Sequence, residues 1–290
     1  VCGRSVAAPP SLPTVERRQN DRETGGDRSC EAYKDASRLV SDNEKRLRLS
    51  THTPEVSPVG VEIRESAVSA EEFADMERFV REYLVASVES EDDGGRMRWY
   101  PWHSAEYRFN HIRNVVEIAE RIAREEGADV DVVRVAALFH DVAKLEADQD
   151  VHAEEGARVA REFLESRGEY APSFVQAVVT AVEDHSYQGS VTDLSLETQC
   201  LVEADLLDKV GANGTALMLL RMGYESRTHM DAATMVERVY QRGKQHAARV
   251  DSDTATDIAH RRLKRVRWFR DWLESEVTAM TAEETEVETR

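Results

Sequence analysis

The feature that most constrains this chain is a charged pair set directly on an apolar run. Val135-Ala136-Ala137-Leu138-Phe139 leads straight into His140-Asp141, followed by Val142-Ala143-Lys144. A run this apolar belongs in a core, and burying an ionised carboxylate there is costly unless a cation or hydrogen bonds compensate it. A metal ion would satisfy both side chains, because neutral imidazole and carboxylate are standard ligands of divalent metals. The pair therefore predicts a metal site in a largely apolar interior, and further His and Asp ligands elsewhere in the chain.

Two residues fit that requirement. His111 shares a helical stripe with Val115, Ile118 and Ile122, so its imidazole points toward the core. Asp205 has Leu201 and Val202 one turn behind it and Asp208 and Lys209 one turn ahead. A lone buried His or Asp is usually a hydrogen-bonded core residue. His111, His140, Asp141 and Asp205 together, from three predicted helices, read as a four-ligand site with positions left for water or substrate.

In these residues the chain resembles the HD-domain superfamily of metal-dependent phosphohydrolases. The order His111, His140-Asp141, Asp205 is that of the family. Phe109 to Lys144 is similar to its "H…(helix)…AALxHDxxK" core. Glu197 to Arg221 is similar to the "E…DADxLDxxGAxGxxR" block of a subgroup linked to nucleotide hydrolysis. The similarity covers roughly residues 100–225. It implies an all-α helical bundle in which a divalent metal (Mn, Fe, Co, Ni or Mg) lowers the pKa of a bound water and polarises a phosphoryl oxygen. Lys144 is then the cation that faces a substrate phosphate; another subgroup carries glutamate there, so that subgroup's carboxylate acid/base is not carried over. Histidines between the HD pair and the last Asp complete a second metal site or face substrate in several branches. His152 and His185 are the candidates here.

Other residues are read from their neighbourhoods. Lys144 follows His140 by one helical turn, which would project both from one side. His152 would otherwise be a first-turn residue of a helix, and His185 a cation at a helix C-terminus. Asp208 either orients a ligand, binds a sugar hydroxyl, or is an exposed ion-pair partner. Gly211-Ala212-Asn213-Gly214 suits a tight turn or close helix approach and lacks the Gly-Lys-Ser/Thr of a phosphate-binding loop. Arg108, Arg113 and Arg221 could clamp phosphate, but in an arginine-rich chain each reads as a surface residue. Trp99, Tyr100 and Trp102 read as packing residues that could stack a base.

The net charge of −18, from 56 acidic against 38 basic residues, is spread along the chain. It suits an acidic surface of the high-salt type and disfavours nucleic-acid binding, which needs clustered Lys and Arg. The expected partner is a small phosphorylated substrate. Cys2, Cys30 and Cys200 have no metal-type spacing, and no apolar run has the length of a membrane span, so a cytoplasmic protein is the default expectation.

Residues 1–68 hold five of the seven prolines and no sustained periodicity, apart from a weak helical patch at Cys30 to Leu49, and are expected to form a disordered extension. The HD-type all-α domain is expected over 69–290. Ser69-Ala70-Glu71-Glu72 is a capping box that opens the first helix. Gly127 should end the His111 helix, Asp129 should cap the next, and Pro172 fits a first turn. Further helices are expected at about 152–167, 173–185, 195–210, 212–222, 231–249 and 254–280. The last is amphipathic through Ile258, Leu263, Val266, Phe269 and Leu273, and should pack on the domain or on a second subunit as a homodimer contact. Two rivals to the phosphohydrolase stand beside it. One is an HD-type di-iron oxygenase, which requires His152 and His185. The other is a non-enzymatic module stapled by its metal.

Overall fold

Local signals set the helix boundaries. The computed structural model describes residues 68–89, 103–225 and 231–287. Helix α1 (Ala70–Glu89) starts on the expected capping box: the Glu72 N–H donates to Ser69 Oγ (3.2 Å) and the Ser69 N–H donates to Glu72 Oε2 (2.7 Å). Val68, at the edge of the expected extension, is buried, and its N–H donates to Asp131 Oδ2 at 2.9 Å. Helix α2 (Ala105–Glu126) is capped by Ser104, whose hydroxyl accepts from the Tyr107 N–H, and ends at Gly127. Asp129 accepts from the Asp131 and Val132 N–H groups to open α3 (Val130–Phe139). Helices α4 (His152–Arg167), α5 (Pro172–Asp184), α6 (Leu196–Asp208), α7 (Ala212–Glu225), α8 (Ala232–Ala247) and α9 (Asp253–Val287) follow. A short 3₁₀ turn, Val191–Asp193, lies between α5 and α6. The described residues form no strand, and none of their helices is long and apolar enough to cross a membrane. The expected extension, the Cys30 to Leu49 patch and Trp99, Tyr100 and Trp102 lie outside the described residues.

Helix α3 is central because it is apolar on every side but the one that carries Asp131 and Arg134, and such a helix must be largely enclosed. Val132, Val133, Val135, Ala136, Ala137, Leu138 and Phe139 are all buried, and α1, α2, α4, α5 and α6 pack around them. Met76, Val80 and Leu84 of α1 cover one side, and Phe79 packs on Phe163 and Phe139 with ring centres 4.5 and 6.1 Å away.

Helix α6 is the second buried rod, and Glu203 within it is fully buried. Its Oε1 accepts from the Asp251 N–H (2.7 Å), the Ser252 N–H (2.9 Å) and Gln199 Nε2 (3.1 Å), and its Oε2 accepts from Ser252 Oγ at 2.5 Å. These bonds tie the start of α9 to the middle of α6.

The 211–214 segment is both a tight turn and a close approach. Gly211 has φ 110°, a left-handed conformation that favours glycine. A methyl group on Gly214 would sit 2.1 Å from the Lys209 carbonyl oxygen, which is backbone and cannot swing away. Gly214→Ala should therefore cost about 2–3 kcal/mol in a urea melt, as overpacking against fixed atoms does. A change below about 0.5 kcal/mol, the range of ordinary surface substitutions, would refute this account of the turn.

Candidate metal centre

Five segments converge on the interior between α2, α3 and α6. His111 lies on the inward face of α2 with Ile112 and Val115. Asp205 and Asp208 come from the last turn of α6, His152 opens α4, and His185 closes α5, where its N–H donates to the Val182 carbonyl. His140 and Asp141 follow α3 in a run of tight turns: the Val142 N–H donates to Phe139 O (3.1 Å), Lys144 N–H to Asp141 O (3.1 Å) and Glu146 N–H to Ala143 O (3.2 Å). This corrects the expectation that Lys144 shares a helix face with His140. The chain has left the i to i−4 ladder, and Lys144 turns toward Asp141 (3.8 Å) and His152 (2.8 Å) instead.

The ligand-type atoms form two groups, His111–His140–Asp205 and Asp141–His152–His185, with the atoms of each within 4.8 Å of one another. Asp141 reaches both. Its Oδ2 is 3.6 Å from His111 Nε2 and 3.7 Å from His140 Nε2. Its Oδ1 is 3.5 Å from His152 Nε2 and 3.7 Å from His185 Nε2. Asp205 Oδ1 is 3.3 Å from His111 Nε2.

The far side of each imidazole fixes its tautomer. Nδ1 of His140, His152 and His185 faces the carbonyl oxygens of Ala137 (2.7 Å), Gln149 (2.7 Å) and Val182 (2.6 Å). His111 Nδ1 faces Asp208 Oδ2 at 2.7 Å. Each acceptor requires the proton on Nδ1, which leaves a lone pair on Nε2 of the neutral ring. The Nε2 atoms of His140 and His111 approach to 3.4 Å, and those of His152 and His185 to 3.2 Å. A ring whose proton sits on Nδ1 alone has none to share at Nε2, so the gap between His152 and His185 asks for a cation. Lys144 Nζ already donates to His152 Nε2.

Burial pushes the pKa of His140 down to about 3 and that of His152 down to about 4, so both rings are neutral near pH 7. Burial also acts downward on His111, but its hydrogen bonds to Asp205 and Asp208 outweigh it and raise the pKa. Burial alone would raise the carboxyl pKa values; Arg108 and Lys144 instead hold Asp141 well below the carboxylate range, and Lys209 and His111 do the same for Asp205. Lys144 is lowered by its own burial, with Asp141 opposing.

These directions set the acid response. His140 and His152 have folded pKa values below the ordinary 6.5, so the unfolded chain takes up their protons first as pH falls. Their contribution is present above pH 6.5 and is lost as pH drops toward about 4 and 3, while raised His111 contributes in the opposite sense. Raised His111 changes stability only above pH 6.5, whereas the two depressed rings act over the whole fall below it. The urea midpoint of metal-stripped protein should accordingly be lower at about pH 5 than at about pH 7.5; an unchanged or higher midpoint would contradict these charge states.

Every candidate ligand is thus brought together: His111, His140, Asp141, His152, His185 and Asp205, with Lys144 and Asp208 against them. Asp208 bonds His111 Nδ1 and accepts from Asn213 Nδ2 at 3.3 Å, which is the orienting geometry among its open roles. Arg108 corrects the surface reading. It is buried, its Nη1 donates to Asp141 Oδ2 at 2.5 Å, and its Nε is buried without a hydrogen-bond partner among the described residues. The available signal was spacing: Arg108 precedes His111 by one turn on the same face of α2. Arg113 and Arg221 are surface residues, 3.8 Å from Glu77 and 3.2 Å from Glu225. Lys209, four residues after Asp205, bonds its Oδ2 at 2.5 Å.

An all-α fold that gathers four histidines and three aspartates around one interior point defines a helical domain built for metal ions. Residues 108–210 match the HD domain family, and this segment of the chain is an HD domain. All eight site residues first singled out by sequence fall inside it. Over 87 residues the chain is 32% identical to the tRNA (cytidine(56)-2′-O)-methyltransferase of Thermoplasma volcanium; that stretch is 30% of this chain and only 23% of the relative. It is 23% identical over 202 residues to the uncharacterized protein YpgQ of Bacillus subtilis, covering 69% of this chain and 93% of YpgQ. The crystal structure of YpgQ matches with a TM-score of 0.51 at 18% identity, over 70% of this chain and 96% of that one. An HD-superfamily hydrolase from Bacillus thuringiensis matches with a TM-score of 0.53 at 20% identity, over 72% and 98%. These two structural likenesses show the shared fold.

Proposed function

We propose that this chain is a metal-dependent phosphohydrolase acting on a nucleotide or another small phosphorylated metabolite. The observation that carries the reading is Asp141, whose two carboxylate oxygens each face a different pair of histidine Nε2 atoms. His111, His140, Asp205 and Asp141 Oδ2 would hold one divalent ion, and Asp141 Oδ1, His152 and His185 a second. The donor set fits: it is nitrogen-rich, its rings are in the ligating tautomer, and imidazole suits Mn, Fe, Co or Ni better than Mg. Ions bound there supply a water of lowered pKa and a Lewis acid for a phosphoryl oxygen.

The chain's own residues prepare the rest. Asp208 holds His111 in its tautomer and orientation. Arg108 and Lys144 balance Asp141 and keep donors unused by it, and phosphate oxygens are the acceptors that match such donors. The acidic exterior favours a small substrate over a long polyanion. YpgQ, aligned along most of this chain, has a crystal structure in complex with ADP, so nucleotides are the class to test first.

The test is phosphate and pyrophosphate release from a nucleotide panel with Mn²⁺, with Asp141→Ala as control. Release that vanishes in the control supports the reading; no release from any nucleotide or small phosphate ester counts against it. Asp208→Ala should weaken metal binding about 10- to 100-fold with helicity retained, as loss of a ligand's hydrogen-bond partner does. Unchanged affinity would remove Asp208 from the site's support.

A second reading, a di-iron oxygenase, gains from one observation: His152 and His185 both join the cluster. Iron retained through purification, visible colour and oxygen consumption would favour it. Turnover of phosphate esters without oxygen would rule against it.

A further inference from the structure

The far half of α9 presents a face that the domain does not use. Ala255, Ile258, Ala259 and Val266 are buried against the domain, and partial burial on that side continues through Leu273. On the opposite side Arg261, Lys264, Arg265, Trp268 and Trp272 are all exposed. Trp268 is 65% and Trp272 49% exposed, with ring centres 5.3 Å apart. Two adjacent indoles facing water forgo the burial that makes tryptophan an anchor residue in interfaces.

The charge along this helix is segregated. From His260 to Arg270 there are six cations and no acid, in a chain of net charge −18; from Asp271 to Val277 there are three acids and no cation. Some of the cations are used locally. Arg261 pairs with Asp257, Arg270 with Glu237 at 3.2 Å, and Arg262 donates to the Val210 carbonyl at 3.3 Å. Lys264 and Arg265 make no ion pair among the described residues.

We propose that this face is the contact of an antiparallel homodimer, with Trp268 and Trp272 of two copies packed around the two-fold axis and residues 263–267 of each α9 beside 273–277 of the other. Antiparallel pairing sets each basic segment against an acidic one. A parallel pair would stack Lys264 and Arg265 on their own copies. The symmetry is closed, so association stops at two. Arg261, Arg265, Trp268, Trp272 and Ser275 recur at steps of four, three, four and three, the spacing of a seam between two helices. Small Ser275 leaves room opposite the long Arg265 side chain. A seam of this length, about 21 Å at 1.5 Å per residue, is a modest interface, so the dimer should dissociate on dilution.

Sedimentation velocity on the full chain from about 1 to 100 µM tests this. The expected result is a monomer–dimer equilibrium. Trp268→Ala/Trp272→Ala should weaken it about 30-fold or more, with circular dichroism unchanged because both rings are exposed. Lys264→Glu/Arg265→Glu should weaken it as well, and added NaCl should weaken the wild-type dimer by screening opposite charges. A monomer at every concentration, or a dimer indifferent to the tryptophan changes, overturns the proposal. A dimer strengthened by NaCl overturns the antiparallel arrangement. Binding of a short single-stranded DNA to a monomer, lost in the tryptophan variant, would assign the face to nucleic acid instead. None of these outcomes depends on the hydrolase reading.

Discussion

An Asp141→Ala chain is expected to lose metal at both groups of ligands and to lose more than about 100-fold in turnover, while keeping its helices when purified at neutral pH. The magnitude follows from comparison: removing only a hydrogen-bond partner of a ligand costs about 10- to 100-fold, and among the described residues Asp141 is the one carboxylate that reaches both groups. The substitution also strips the counter-charge from Arg108 and Lys144, both buried, and breaking a buried pair from one side costs about 3–5 kcal/mol. Asp141→Asn keeps the shape and removes only the charge. If the Ala chain unfolds, the Asn chain separates lost metal from lost fold. Metal content by mass spectrometry and kcat/KM on the best substrate of the panel provide the readout. A variant with full metal and full rate would show that the carboxylate between the histidines is not the centre of the site.

Glu203→Ala should be the most destabilising single change away from that site, by about 4 kcal/mol. The side chain is fully buried and accepts four hydrogen bonds, three of them from Asp251 and Ser252 at the entry to α9. Without it the buried Ser252 N–H and hydroxyl lose their acceptor, at about 1–3 kcal/mol each, and the part-buried Asp251 N–H loses its own. Glu203→Gln keeps an acceptor oxygen but turns an amide N–H₂ toward other donors, so an intermediate loss is expected. Urea unfolding followed by circular dichroism measures both. A loss under about 1 kcal/mol would mean that water or other groups replace the carboxylate.

How much was legible in the sequence can be traced residue by residue. The capping box at Ser69, the Asp129 cap, the Gly127 stop and first-turn Pro172 are local devices, and each does in the structure what its neighbours in sequence require. His111, His140, Asp141 and Asp205 were legible because polar groups in apolar surroundings need partners, and one metal could serve all four. Arg108 was misjudged because composition, an arginine-rich surface, outweighed its position one turn before His111. Lys144 and His140 both reach Asp141, but through turns and not along a helix face, because the chain stops being a helix at His140, a change that no proline or glycine announces. For Glu203, buried in α6, no role had been read at all.

The sequence by itself determined the all-α fold, the helix ends that carry a capping residue, glycine or proline, and the short list of residues able to bind metal. Those properties follow from spacing and capping within a single element. Only the tertiary structure decided that His152 and His185 meet the second oxygen of Asp141, that Asp208 holds His111, and that the tryptophans of α9 face away from the domain. Periodicity says which residues of a helix turn inward. It is silent on which inward residues of different helices meet, because that depends on the offsets and angles at which helices pack.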